Sequence, residues 1–343
     1  VKGKHSYVGG PAYYMERGLK KRWMGVLFAV LITVTFGLAF NSVQSNTMSA
    51  ALQSAFSIEP LNSGIVISAL TLVIIFGGVH RIAAISSVIV PVMAVGYIAL
   101  ALFVVLANID RIPAVVEQIV GNAFGWHQAV GGGIGTALMQ GIKRGLFSNE
   151  AGMGSAPNAA ATAHVTHPAK QGFIQALGVF TDTLLICSCT AFIILFGEDY
   201  VGSGLDGIQL TQAALTSEVG NIGGIYVAIA ALFFAYSSIL GNYYYGEANI
   251  RFFTSRQWPV VLYRMLVGGM VLFGSLASLN LVWNLADVTM ALMSICNLIA
   301  IFLLGKYAFR LLDDYLAQKR KGIKSPVFHK EQMKDIEQDL ECW

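Results

Sequence analysis

Between Lys143 and Glu150 the sequence sets two bases, a Ser, an Asn and an acid in a short run bounded by glycines. Gly131, Gly132, Gly133, Gly135, Gly141 and Gly145 precede or interrupt that run, and Gly152 and Gly154 follow it. Glycines on both sides allow a helix to break and turn its backbone groups toward a cavity. The amides at a half-helix start attract a carboxylate, and the carbonyls at a half-helix end attract a cation. Glu150 with Lys143 or Arg144, the latter the named candidate, forms a buried pair or a gate; the equal alternative is a pair that only neutralises charge near a cytoplasmic end. Neither glycine-rich nucleotide-binding fingerprint is present, and Gly131/Gly135 and Gly141/Gly145 match the spacing of close helix packing.

Two further clusters carry oxygen and nitrogen donors. Asn41, Ser42, Gln44, Ser45, Asn46, Thr47 and Ser49 crowd one stretch, with Asn41, Ser45 and Ser49 on a single helical face. One such residue would read as an interhelical hydrogen bond; so many together favour a wet surface. Further on come Tyr236, Ser237, Ser238, Asn242, Tyr243, Tyr244, Tyr245 and Glu247. The adjacent hydroxyls of Ser237 and Ser238 suit a hard cation such as sodium, or else they bond back to their own helix. Asp182, Asp287 and Asn297 lie in apolar segments and need buried partners. His164 and His167 are the nearest thing to a metal or catalytic pair. Beside Lys170, without an acid or Cys nearby in sequence, they read as a solvated turn, so no enzyme and no cofactor is expected. Cys187, Cys189, Cys296 and Cys342 have no ligand or disulfide spacing.

The elements that position these groups are long apolar helices. Of 343 residues, 55% are apolar and only 12% charged, about half the charged fraction of a soluble domain. Charge is absent over 23–58, 60–80, 82–109, 219–246 and 265–286; helices of about 20 residues cross the hydrocarbon core. A soluble fold and a nucleic-acid binder are excluded on this pattern. The expected class is an all-α polytopic membrane protein. Eight spans are predicted near 23–54, 61–79, 84–107, 128–163 (interrupted), 171–197, 220–250, 258–279 and 281–309. Residues 198–219 are too polar to span and form a loop with a short helix at 210–218.

With Lys20, Lys21 and Arg22 cytoplasmic, alternation places all of the 22 Lys and Arg inside except Arg111, Lys143 and Arg144. The expected organisation is a cytoplasmic segment 1–22, a transmembrane domain 23–312 and a cytoplasmic tail 313–343, in the plasma (inner) membrane with both ends inside. The basic opening Val1-Lys2-Gly3-Lys4, without Met or a signal peptide, points to sequence upstream.

Four motifs now carry a resemblance: GGPAYYMERGL at 9–19, RGLFSNEAG at 144–152, LGNYYYGE at 240–247 and LVWNLAD at 281–287, with the Asn41–Asn46 cluster. They resemble the alanine or glycine:cation (sodium:alanine) symporter family over residues 3 to about 312. The resemblance implies a leucine-transporter-like fold of two inverted repeats, here lacking its first two spans. It implies sodium-coupled uptake of alanine, glycine or a similar small neutral amino acid by alternating access. A proton-coupled carrier of the same substrates, or a channel, is the alternative. On that frame Gln44 faces the substrate, and the break falls around 143–149. Asn46, Ser148, Asn149 and Asn242 are the further candidate substrate contacts, and Ser237 and Ser238 the candidate sodium ligands. Asn242 stands where many members have Trp, which implies a roomier or more polar pocket.

Overall fold

The computed structural model describes residues 7–77, 79–123, 133–197, 203–333, 335 and 340, with the backbone alone for 79–90, 133–137 and 332. It is all-helical. A short helix α1 (Pro11–Arg17) leads into α2 (Arg22–Val34), which runs through a π-helical segment (Thr35–Phe40) into α3 (Asn41–Phe56). Then follow α4 (Pro60–Phe76), α5 (Val79–Ala107), α6 (Ile112–Ala123) and α7 (Gly133–Asn149). One turn, α8 (Ala156–Ala160), precedes α9 (Pro168–Phe180), which continues through a second π segment (Thr181–Cys187) into α10 (Ser188–Phe196). The chain ends with α11 (Gly207–Val219), α12 (Asn221–Phe253), α13 (Trp258–Leu276) and α14 (Leu279–Arg320).

Among the described residues five stretches are long and apolar enough to cross a membrane: Arg22–Phe56, Pro168–Phe196, Asn221–Phe253, Trp258–Leu276 and Leu279–Arg320. A sixth is counted if Pro91–Ala107 and Ile109–Ala123, bent by 75°, act as one span, and Pro60–Phe76 is shorter. This is a multi-pass membrane protein. Large apolar side chains point outward, Phe302 being 85% exposed, because the solvent they meet is lipid. The predicted 210–218 helix appears as α11. The proposed tail boundary at 312/313 falls inside α14, which continues unbroken to Arg320. Part of the predicted 128–163 segment, with Gly131 and Gly132, lies outside the described residues, as does Cys342.

α13 packs between α3 and α4, and α3 against α12. Close approach needs Gly274, where an added Cβ would overlap the Ser42 carbonyl and the Ser45 hydroxyl. By contrast, a Cβ at Gly141 or Gly145 would meet nothing within 4 Å. Close packing at that pair is therefore not the reason for those glycines among the described residues. The aromatic core around Phe28, Phe36 and Phe40 joins α2 and the first π segment to α14.

The His164/His167 turn is only half as predicted. His164 is exposed, but His167 is fully buried: its Nδ1 caps α9 by accepting from Ala169 N (3.1 Å) and its Nε2 lies 3.1 Å from Asp314. The acid comes from α14, far away in sequence, so spacing could not reveal it. The segment after α14, residues 325–328, docks on the same turn. Phe328 N donates to Thr166 O, Thr166 Oγ1 to Pro326 O, and Lys170 Nζ to Ser325 Oγ. Arg310 holds Asp335 through two hydrogen bonds, which keep that carboxyl below its ordinary pKa.

Candidate functional site

α7 ends at Asn149, and the next residues turn the chain by alternating left-handed positions: Glu150 (φ 55°), Gly152 (φ 81°) and Gly154 (φ 92°). A non-glycine residue in that region costs about 1–3 kcal/mol and persists only where its surroundings enforce it. The surroundings are explicit. Ala151 N donates to Asn149 Oδ1 (2.9 Å), Glu150 accepts from Ser155 Oγ, and Gly152 O accepts from Asn297 Nδ2 (2.8 Å). Gly154 has no room for a side chain, since a Cβ would sit 2.8 Å from Phe28 and Pro11. Its carbonyl takes Asn158 Nδ2 (2.9 Å), and Asn158 Oδ1 in turn takes Asn249 Nδ2 from α12 (2.9 Å). Tyr14 of α1 donates to Asn297 from the opposite side. The break is thus a fixed structure tied to α1, α12 and α14.

Beside it opens a cavity of about 1050 Å³, lined by Tyr14, Asn149, Glu150, Gly154, Tyr245 and Asn297 among others. Of the candidate site residues it gathers Asn149 and Glu150. Asn46 lies instead on a cleft of about 420 Å³ with Glu59 and Ser275. There its amide is committed to helix packing, donating to Gly274 O (2.9 Å) and Ala277 O (2.8 Å). Gln44 is half-buried on α3, and Asn242 is buried on α12 with its Nδ2 unpartnered among the described residues.

The expected Arg144–Glu150 pair is not formed. Arg144 instead makes a fork to Asp287 of α14, at 2.6 and 2.7 Å, and lies 4.1 Å over the Trp283 ring. Lys143 approaches the same carboxylate at 3.5 Å. The reason is the turn at Glu150, which carries its carboxyl back toward Ser155 while Arg144 stays on the helix face toward α14. Phe147 packs between Trp283 and Phe40, tilted to both, with ring centroids 4.5 Å away. Aromatic contacts therefore link the first π segment to the ion pair.

The second π segment meets α7 from the other side. Ser148 Oγ donates to Asp182 (2.6 Å) and lies 3.1 Å from Cys187 Sγ, and Asn149 Nδ2 reaches Thr183 Oγ1 (3.2 Å). The end of α7 is thus held between two π-helical segments, a backbone form concentrated at functional positions. Asp287 and Asn297 have the partners their placement demands, whereas Asp182 is met by the Ser148 hydroxyl and the Cys187 thiol, with no base in ion-pair distance among the described residues. Ser237 and Ser238 both donate to Phe234 O, at 2.8 and 3.0 Å, the back-bonding alternative. A hydroxyl that donates once keeps its lone pairs, so each oxygen can still face a cation.

Sequence reasoning missed the Asn158–Asn249 tie, the role of Trp283 beneath Arg144, and both π segments. A lone Asn within the small-residue run after Gly154 was the available signal for the first.

A sequence profile of the sodium:alanine symporter family matches residues 1–330. The chain belongs to that family. Among similar members is the probable sodium/glutamine symporter GlnT of Bacillus subtilis (strain 168), 56% identical over 343 residues, all of this chain and 71% of the relative. The amino-acid carrier protein AlsT of the same organism is 52% identical over 344 residues, 100% and 73% of the two chains. The sodium/alanine symporter AgcS of Methanococcus maripaludis is 38% identical over 305 residues, 87% and 67%. As a sodium:alanine symporter family member the protein is a transporter and not an enzyme.

Proposed function

We propose that the protein couples sodium entry to uptake of a small neutral amino acid, alanine or glycine, by alternating access. The observation that carries this reading is the interrupted α7–α8 segment, whose break sets Asn149 and Glu150 at the wall of a large cavity. A broken helix at membrane depth is the element transporters use to bind polar cargo. On this reading the bundle is part of a leucine-transporter-like inverted repeat, with two further spans before the 9–19 motif. The basic loops and both ends face the cytoplasm. Gln44 and Asn242, with Asn149, line the substrate path, while Asn46 braces α3. Ser237 and Ser238 contribute to a sodium site. Sodium favours one state only through its differential affinity for the two, so its ligands must come together in one and separate in the other.

A second substrate reading has its own observation. The buried, unpartnered Asn242 amide suits a cargo that accepts a hydrogen bond, such as glutamine, the substrate in the name of the relative GlnT.

Uptake of labelled L-alanine, D-alanine, glycine and L-glutamine into proteoliposomes, with an inward sodium gradient or a proton gradient alone, tests both. Saturable, sodium-driven uptake of alanine or glycine supports the first reading, and preference for glutamine replaces it with the second. Uptake driven equally by protons without sodium overturns sodium coupling. Flux without saturation or counterflow would make the protein a channel.

A further inference from the structure

α14 ends on a helix stop and a reversal of the chain. Gly322 lies in the left-handed region (φ 81°) and donates to Lys319 O (3.0 Å), while Ile323 N donates to Gln318 O (3.1 Å). Pro326 follows and cannot continue a helix. The chain therefore leaves α14 as an extended piece, with Pro326 and Phe328 buried and Ser325 and Val327 exposed. That period of two seats one edge of the piece against the protein.

The piece is bonded to both α14 and the turn before α9. On the α14 side the Gln318 carboxamide grips Val327 in both directions, accepting from its N–H (3.0 Å) and donating to its carbonyl (2.8 Å). On the other side Thr166 O accepts from Phe328 N (2.9 Å), and Thr166 Oγ1 donates to Pro326 O (2.9 Å). Lys170 Nζ adds a bond to Ser325 Oγ (2.9 Å), and the Phe328 ring lies edge-on to His167, with centroids 5.8 Å apart.

Both tethered elements line the cavity of about 1050 Å³, through Val165, Pro168 and Gln175 on one side and Leu311 of α14 on the other. Among the described residues α9 buries no side chain, and Pro168–Phe196 is the least buried of the five long apolar spans. The bonds to 325–328 are thus a main restraint on the first turn of α9. Thr166 and Gln318 cannot move apart while a piece this short is bonded to both. Each bond is replaced by water on release at a small net cost, so the tether is reversible.

We propose that residues 325–328 form a latch on the cavity. Engaged, they hold the start of α9 to α14 and keep that end of the cavity narrow. Released, they let α9 swing away and the cavity open there. Only the uptake arm of the test below rests on the transport reading.

The full chain in detergent, with Cys187, Cys189 and Cys342 replaced and Gln175→Cys added, serves as the parent for labelling by a bulky water-soluble maleimide. Cys296, buried in the helical core, is kept as the control for unfolding. Gln318→Ala and Phe328→Ala are each expected to speed labelling at the Gln175→Cys thiol at least about threefold, the population change that loss of an ordinary hydrogen bond brings, with Cys296 unchanged. Unchanged or slower labelling in both variants overturns the latch, and equal rises at both thiols overturn it by making the segment a brace for the whole fold. In proteoliposomes, Thr166→Cys with Pro326→Cys joined by a short reducible cross-linker should lose uptake and regain it on reduction. Uptake that persists in the joined protein overturns the latch. A parent without sodium-driven uptake overturns the transport reading instead, and the labelling result still decides the latch.

Discussion

Arg144 and Asp287, far apart in sequence, meet as a two-pronged ion pair with both carboxylate oxygens within 2.7 Å of one guanidinium nitrogen. The pair joins the last turns of α7 to α14, and Trp283 lies beneath the guanidinium. Arg is suited to this place because its planar group can pair and stack at once, which an ammonium cannot.

Arg144→Met and Asp287→Leu are each expected to lower thermal stability, and the double variant by less than their sum. A double-mutant cycle from unfolding in detergent should give a coupling energy of about 1–3 kcal/mol. Arg144→Lys, which keeps the charge, should still reduce uptake. Simple additivity would show that the two residues are not energetically linked.

Gly274→Ala is a test of the bundle rather than of the site. The new Cβ would overlap backbone at Ser42, and backbone cannot rotate away as a side-chain tip can. Overpacking of this kind costs about 1–3 kcal/mol. The melting temperature should fall, whereas Gly145→Ala, where nothing lies within 4 Å, should leave it within a degree or two of the parent by the usual size of surface effects.

Ser237→Ala with Ser238→Ala should raise the sodium concentration needed for half-maximal uptake, because two oxygens that can face the cation are removed. Gln44→Ala should weaken substrate binding more than sodium binding. The reverse ordering in the two variants would exchange their roles, and unchanged sodium dependence would remove the serines from the cation site.

Asn242 is buried at a cost, since its Nδ2 has no partner among the described residues. An orphaned buried donor costs about 1–3 kcal/mol. Asn242→Leu, close in volume, is therefore expected to raise the melting temperature while weakening substrate binding, read as an increased KM for uptake. A variant that loses stability and keeps KM would mean that the amide serves packing alone.

His167 ties α14 and the docked segment at Phe328 to the turn before α9. His167→Ala removes the cap on Ala169 and the contact to Asp314. Loss of a cap costs about 0.5–2 kcal/mol. Limited trypsin digestion should then cut faster at Lys321 and Lys324, and an unchanged cleavage rate would show that the segment is held without His167.

Much of this architecture is written in composition and spacing. Uncharged stretches of the length of a bilayer force helices, since no other single segment satisfies its own backbone in lipid. Polar composition between apolar runs predicts the short helix, at 210–218 against the observed 207–219, and glycines beside charged residues predict a break, but around 143–149, which α7 crosses unbroken before the chain turns at Glu150. Those are local properties, and the sequence alone determined them, together with family membership through motifs such as RGLFSNEAG. Partnership is not local. Arg144 had Glu150 within reach in sequence, but the left-handed turn at Glu150 sends that carboxyl to Ser155 and leaves Arg144 to Asp287. Asp314 reaches His167 only because α14 crosses the start of α9. Whether a polar group braces a helix, as Asn46 does, or meets only a hydroxyl and a thiol, as Asp182 does, depends on which helices lie next to one another. Only the tertiary structure decided that, because helix neighbours are set by packing across the whole bundle and not by the residues that later meet.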